Sequence, residues 1–386
     1  MFDSFALPYS RRTATRRPRS RPHCAEGVPV TDAPLSWEEL RELPLASWTP
    51  VPQLRLPATD ADRAAFPAID VHNHLGRWLS DGEWMIEDPA ALVVVMDETN
   101  VECVVNLDGM WGDEVTANVE RYDRSFPGRF LTFCQLEWER LAEPDGVAAL
   151  QASLADSAAR GARGVKIWKS LGLTVRDADG TLILPDDPRV VAVVERAGEL
   201  GLPALIHTAD PKAFFAPLDA CNERLDELMQ MREWWFGDRT VHPTFDRLLA
   251  AHRALVEACP GTRFIGAHAG CAAEDLDLVE GMLDACPNYT IDIAGRMAEL
   301  GRQPRRFRRL IERHPDRVLF GTDIYPAERE QFRLHFRFLE TEDEAFSYAP
   351  GEPVPPQGRW TVSALGLDAS TLERIYRTNA LRVLGI

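Results

Sequence analysis

Lysine is almost absent from this chain: 386 residues contain three lysines against 40 arginines. Arginine holds its proton under all ordinary conditions, so a deprotonated amine or a carbamate is available only at Lys166, Lys169 and Lys212. Positive charge is also in deficit overall. The net charge of −17 argues against nucleic acid or an anionic membrane as the main partner. Seven cysteines form no CxxC pair, and their odd number suits a reducing, cytoplasmic compartment rather than a disulfide framework. No apolar run approaches the ~20 residues that a membrane-spanning helix needs. What remains is an ordinary globular composition, 45% hydrophobic and 27% charged, with enough length for a large core.

Residues 1–27 differ from the rest, with six arginines in a Pro/Ser-rich stretch that lacks apolar periodicity. Ser10-Arg11-Arg12 has the pair of an export signal but no hydrophobic segment after it, so a disordered tail is expected. Residues 28–67 carry scattered turn-forming prolines and one helix-like stretch, Trp37–Leu43, and read as an arm packed on the main domain. The main domain, 68–386, repeats one pattern. Apolar runs at 69–72, 101–107, 130–136, 163–168, 203–207, 263–268, 289–293 and 317–322 read as strands. Helical spacing fills 88–99, 114–125, 145–160, 187–200, 243–258, 274–285, 304–314 and 328–339, and a last helix is expected at 369–384. Asp88-Pro89 and Asp187-Pro188 supply helix starts, because proline fits a first turn. Eight β-α units in series predict an α/β fold of the (β/α)8 TIM-barrel type, with an N-terminal arm and a C-terminal helix; a doubly wound open sheet is the alternative.

In such a barrel the functional groups gather at the C-terminal ends of the strands. There the sequence places His72 and His74 after the first strand, His207 after the fifth, His268 after the sixth and Asp323 after the eighth. The i, i+2 spacing of His72 and His74 predicts that both point into the barrel. One such histidine is ordinarily a core residue. Four imidazoles and a carboxylate at one end of one barrel instead suggest a divalent ion, with zinc, manganese and iron(II) all suited to these ligands. Lys166 and Trp168 alternate to the same side of strand four, which predicts that both face inward.

The motifs HNH at 72–74, IHT at 206–208, GAHAG at 266–270 and LFGTD at 319–323 resemble the amidohydrolase superfamily. The nearest likeness is its branch that includes aminocarboxymuconate-semialdehyde decarboxylase and related lactonases, which the ending Ile375–Gly385 also resembles. The resemblance spans about 68–386. It implies that His72, His74, His207 and Asp323 hold one ion, most suitably zinc, with His268 and Asp323 handling protons. A second ion bridged by a carboxylated Lys166 is the less favoured arrangement. In the resembling branch Lys166 would instead meet a substrate's negative charge, and dimers are common there, so a homodimer is implied.

Ten tryptophans are unevenly placed: Trp78, Trp111, Trp138, Trp168, Trp234 and Trp235 fall at or after strand ends. About half are expected to line a pocket for a planar small molecule and the others to pack in the core. Arg77 and Arg296 are candidate partners of a substrate carboxylate, with Asp292 and Glu137 weaker candidates. His242, His252, His314 and His335 are expected at the surface or in packing, and Arg302–Arg309 on a solvated helix face or subunit contact. The expected activity is metal-dependent hydrolysis of an ester, lactone or amide in a small, ring-containing or carboxylated molecule. The alternative is non-oxidative decarboxylation of an aromatic or unsaturated carboxylate.

Overall fold

The computed structural model describes residues 35–44, 48, 53–324, 327–352 and 354–386. The arginine-rich stretch 1–27 lies outside them, as do residues 28–34 of the expected arm. Eight parallel strands follow one another: β1 Ala68–Asn73, β2 Val101–Asn106, β3 Phe130–Thr132, β4 Val165–Ile167, β5 Ala204–Ile206, β6 Phe264–Gly266, β7 Tyr289–Asp292 and β8 Val318–Leu319. They pair in the orders β1-β2-β3 and β4-β5-β6-β7-β8. A parallel bridge between Cys134 and Val165 joins the two groups, with Lys166 N donating to Cys134 O at 2.7 Å. The ring closes where Val71 N donates to Phe320 O (3.0 Å) and Asp323 N to His72 O (2.8 Å). These contacts make a closed (β/α)8 barrel.

Helices Pro89–Thr99, Gly146–Arg160, Pro188–Glu199, Phe245–Ala258, Leu276–Ala285, Pro304–Arg313 and Arg329–Glu340 follow the sequence expectation to within two residues at either end. The Asp88 and Asp187 side chains accept hydrogen bonds from Ala90 N and Arg189 N, capping helices whose first residue is proline. Two helical stretches are less regular. Asp113–Val119 runs on into a π-helical turn, Glu120–Arg124, and the C-terminal helix likewise passes through one at Arg374–Thr378. The near-terminal helix is shorter than expected, Trp37–Arg41, and Ser36 and Glu39 close a reciprocal cap at its start.

The strands are shorter than their apolar runs. The run 130–136 yields three paired residues and 317–322 only two. For 317–322 the reason is local. At the rim, backbone N–H groups leave the ladder for side-chain acceptors: Thr322 N bonds Asp70 Oδ1 (3.0 Å), His268 N bonds Asp292 Oδ1 (2.8 Å), and Leu75 N bonds Asn106 Oδ1 (3.1 Å). Buried polar groups thus stay satisfied where pairing stops.

Two buried clusters form the core. The larger lies between the barrel and its helices, and the smaller gathers Ile69, Val71, Val105, Phe133, Leu205, Ile265 and Leu319 with Ala380, Val383 and Leu384 of the C-terminal helix. β1 and β2 slip in register between Asp70 and Asn73. That irregularity reconciles Val71 in the smaller cluster with His72 at the site. The arm meets the end of the helix Arg329–Glu340 and the loop after it: Thr59 bonds Asp343 through both N and Oγ1 (2.8 Å each), and Ala65 N bonds Glu340 Oε1 (2.9 Å). Among the described residues no helix is long and apolar enough to cross a membrane.

Candidate metal centre

His72 and His74 leave β1 with one ring nitrogen each held by a buried carboxylate. His72 Nδ1 donates to Asp292 Oδ2 at 2.8 Å, and His74 Nδ1 donates to Asp108 Oδ1 at 2.6 Å. Such partners fix the tautomer and make Nε2 the ring nitrogen that carries the lone pair. Both Nε2 atoms turn to one oxygen, Asp323 Oδ1, at 3.8 Å from His72 and 3.5 Å from His74. That oxygen is buried and has no hydrogen-bond partner. His72, His74 and Asp323 form one group able to hold a metal ion; His72, His268 and Asp292 form a second.

The carboxylates are themselves held. Asp292 Oδ1 accepts from His268 N (2.8 Å) and Ala294 N (3.1 Å). Asp108 accepts from Gly76 N (3.0 Å) and Trp78 Nε1 (2.6 Å). A side chain at Gly76 would put its Cβ 2.4 Å from Asp108 Cβ, so only glycine allows this approach. Asp70 ties β1 to β8 through His72 N, Asn73 Nδ2 and both the N and Oγ1 of Thr322. Burial pushes the carboxyls of Asp70 and Asp292 up to about 7, partly offset by those hydrogen bonds.

His268 occupies a left-handed turn, with φ of 59° there, 54° at Ala269 and 63° at Cys271. Such backbone costs roughly 1–2 kcal/mol per non-glycine residue and persists only where surrounding contacts enforce it. Here the Nδ1 of His268 donates to Ala294 O at 2.8 Å, which leaves Nε2 facing Asp323 Oδ2 at 3.9 Å. His207 is different. Neither of its ring nitrogens makes a hydrogen bond, and although Nε2 lies 3.3 Å from Asp210 Oδ1, the geometry is not that of a bond. Its ring sits 4.4 Å from that of His268, yet it joins neither group able to hold an ion. Burial pushes His72, His207 and His268 well below the usual histidine range, so all three are neutral bases.

Lys166 is fully buried, its Nζ 3.4 Å from His72 Nε2, and burial lowers its amine to about 8. Trp168 points inward with it, edge-on to His74 (5.8 Å) and His207 (5.4 Å). Arg296 is buried, its charge disfavours protonation of His72 and His268, and its Nη1 donates to Gly295 O at 2.8 Å. Arg77 is taken up by Glu114, through Nε at 3.0 Å and a second contact from Nη2, and covers Trp84. Trp111 and Glu137 are half-buried, whereas Trp138 is a core residue at 3% exposure. The remaining histidines are in packing where they are deepest: His252 pairs with Thr208 Oγ1 (2.8 Å), and His335 donates to Gln331 O (2.8 Å). Within the arginine-rich stretch, Arg306 bridges to Asp277 and Glu280 on the neighbouring helix.

The amidohydrolase family model matches residues 69–386. The chain belongs to the amidohydrolase family. No curated protein sequence matches it. Among solved structures, 2,6-dihydroxybenzoate decarboxylase from Rhizobium is similar over 83% of this chain and 99% of its own, at TM-score 0.50 and 16% identity. A putative amidohydrolase from Staphylococcus aureus gives the same four values. 5-Carboxyvanillate decarboxylase from Novosphingobium aromaticivorans, complexed with manganese and 4-hydroxy-3-methoxy-5-nitrobenzoic acid, reaches 0.52 at 12% identity, covering 83% and 97%. At these identities the likeness is one of fold. For this amidohydrolase the residues that sequence reasoning missed are Asp108, Asp210 and Asp70, whereas Lys169 was singled out without a partner. Asp108 directly follows the apolar run 101–107, a position as telling as that of His207.

Proposed function

We propose that this amidohydrolase is a metal-dependent hydrolase of small esters, lactones or amides. One observation carries the reading: two imidazole nitrogens turn to a buried carboxylate oxygen that has no other partner. An orphaned buried oxygen costs about 1–3 kcal/mol, and a cation among these donors would remove that cost. His207, with both nitrogens unpartnered, supports a fourth position in the same set. Imidazole and carboxylate ligands favour zinc, and manganese or iron(II) are also compatible. A single ion fits Lys166 as a charged contact for substrate.

When bound, such an ion supplies Lewis acidity that polarises a carbonyl and makes water nucleophilic near neutral pH. Asp323 then accepts the proton of the attacking water. His268 Nε2, 3.9 Å from the second oxygen of Asp323, receives that proton and passes it to the departing alkoxide or amine. The hydrogen bond from Nδ1 to Ala294 O keeps the imidazole in the tautomer this requires. Trp168 and Trp78, edge-to-face at 5.1 Å, offer apolar surface for a planar substrate. All six described cysteines are free, which supports a reducing compartment such as the cytoplasm.

Decarboxylation is the competing reading, favoured by the buried cations Lys166 and Arg296, which would attract a carboxylate to the same histidines. The two are separated by assaying zinc- and manganese-loaded protein in ¹⁸O-water against lactones, aryl esters, N-acyl compounds and aromatic carboxylates. Hydrolysis puts one ¹⁸O into the product acid and releases no gas. Carbon dioxide release with no ¹⁸O in the organic product would replace hydrolysis by the lyase reading.

A further inference from the structure

Lys169 is the second lysine near the site, and its surroundings are unusual for a surface-type side chain. It is 7% exposed, although Trp168 and Trp234 on either side are only half-buried. Its Nζ lies 5.6 Å from the Trp234 ring centre, 5.9 Å from Phe236 and 6.0 Å from Trp168. Aromatic faces stabilise a cation without using its hydrogen-bond donors. An ammonium has three donors, and among the described residues Lys169 uses one, to Asp210 Oδ2 at 2.6 Å. Two donors of a buried cation are thus left without an acceptor, an arrangement that costs free energy unless something supplies one.

Trp168 links this cage to the candidate metal centre. Trp168 is one wall around Lys169, and the same ring stands edge-on to His74 and His207 and 5.1 Å from Lys166 Nζ. One ring, Trp168, therefore lies within 6.0 Å of Lys169 Nζ and of the imidazoles of His74 and His207. We propose that Lys169, in its cage of Trp168, Trp234 and Phe236, is the recognition group for an anionic substituent on the far end of a planar substrate. The substrate class is then a ring-containing carboxylate whose reacting bond lies at the histidines, and this rests on the hydrolase reading for that end alone. Asp210 competes with the substrate anion. It neutralises Lys169 in the free protein, and an arriving carboxylate takes the unused donors and shares the ammonium with it. Lysine suits this role better than arginine, because its compact charge can serve two carboxylates from different directions.

Binding tests the inference without requiring turnover. The probes are benzene-1,3-dicarboxylate and 3-carbamoylbenzoate, which differ by one charge, titrated into zinc-loaded protein by tryptophan fluorescence quenching and calorimetry. Wild type is expected to prefer the dicarboxylate by at least ~10-fold, a difference of about 1.4 kcal/mol. Lys169→Met abolishes the preference, Lys169→Arg retains most of it, and Asp210→Asn strengthens dicarboxylate binding by removing the competing charge. A preference that survives in Lys169→Met overturns the proposal. So does an equal loss for both probes with a lowered melting temperature, which would mark Lys169 as a packing residue. Failure of the hydrolase reading would show in the isotope assay and leave these titrations unchanged.

Discussion

The β1 side and the β5 side of the site are built on opposite plans. On β1, His72 and His74 each have Nδ1 locked to a carboxylate, at 2.8 and 2.6 Å, and those carboxylates are held in turn by backbone and indole N–H groups. On β5, His207 has no hydrogen bond at either nitrogen, only the rings of Trp168 and His268 and a carboxylate 3.3 Å away. The first half is oriented before any ligand arrives. The second leaves its imidazole without a hydrogen-bonded brace and invests its charges in the Lys169–Asp210 pair instead. Preorganisation here is concentrated where two proposed ligands come from one strand and a small rotation would misplace both.

The sharpest way to break the contrast is to remove a braced histidine. His72→Ala is expected to abolish zinc retention and lower turnover by at least ~10³-fold, whereas His207→Ala keeps part of the bound zinc. Metal content after dialysis, beside kinetics, checks both, and equal losses would erase the distinction. The braces come next. Asp292→Asn is expected to weaken zinc affinity or activity by ~10–100-fold, while Asp210→Asn on the other side leaves zinc affinity near wild type. Competition with a fluorescent chelator reads this, and parity between the two substitutions would refute it.

The smallest effect concerns His252, which supports the β5 side through Thr208. Burial lowers its imidazole to about 4. The unfolded chain therefore binds a proton near pH 6.5 that the folded chain refuses until about 4, so stability from this group falls as pH drops through that window. The loss is at most about 1.4 kcal/mol per pH unit. Asp70, raised to about 7, acts in the opposite direction: its cost is present above that value and is relieved as pH falls. The difference between wild type and His252→Asn isolates the histidine. Urea unfolding at pH 7 and pH 5 should show a shallower loss in the variant, and identical slopes would exclude a buried neutral His252.

Much of this was legible because parallel strands buried on both faces leave near-continuous apolar runs, and three runs here end on a histidine of the site, with Asp323 directly after a fourth. His72, His207, His268 and Asp323 announce themselves in that way. The braces do not. Asp108 and Asp292 act through partners 34 and 220 residues away, so their roles depend on which loops the closed ring brings together. Arg77 shows the converse: a candidate for substrate by position, it is engaged by Glu114, 37 residues on. Strand lengths were overestimated for the same reason, since an apolar run does not reveal where an Asp or Asn side chain will take over a backbone N–H. Lys169 was visible as a rarity of composition, but its cage required Trp234 and Phe236 from a distant excursion after β5.

The closure of the ring carries a consequence for biosynthesis. β1 supplies His72 and His74, β8 leads to Asp323, and Phe320 N is in turn bonded to Ile375 O of the C-terminal helix. Asn379 Nδ2 holds the same edge, donating to Pro315 O and Val318 O. A nascent chain on the ribosome therefore carries its histidine pair for hundreds of residues before the carboxylate they face exists. Even then, that carboxylate is not anchored until the final helix has emerged. On the proposed function, ion capture is expected late in synthesis, and a chain that ends before Ile375 is expected to retain no metal.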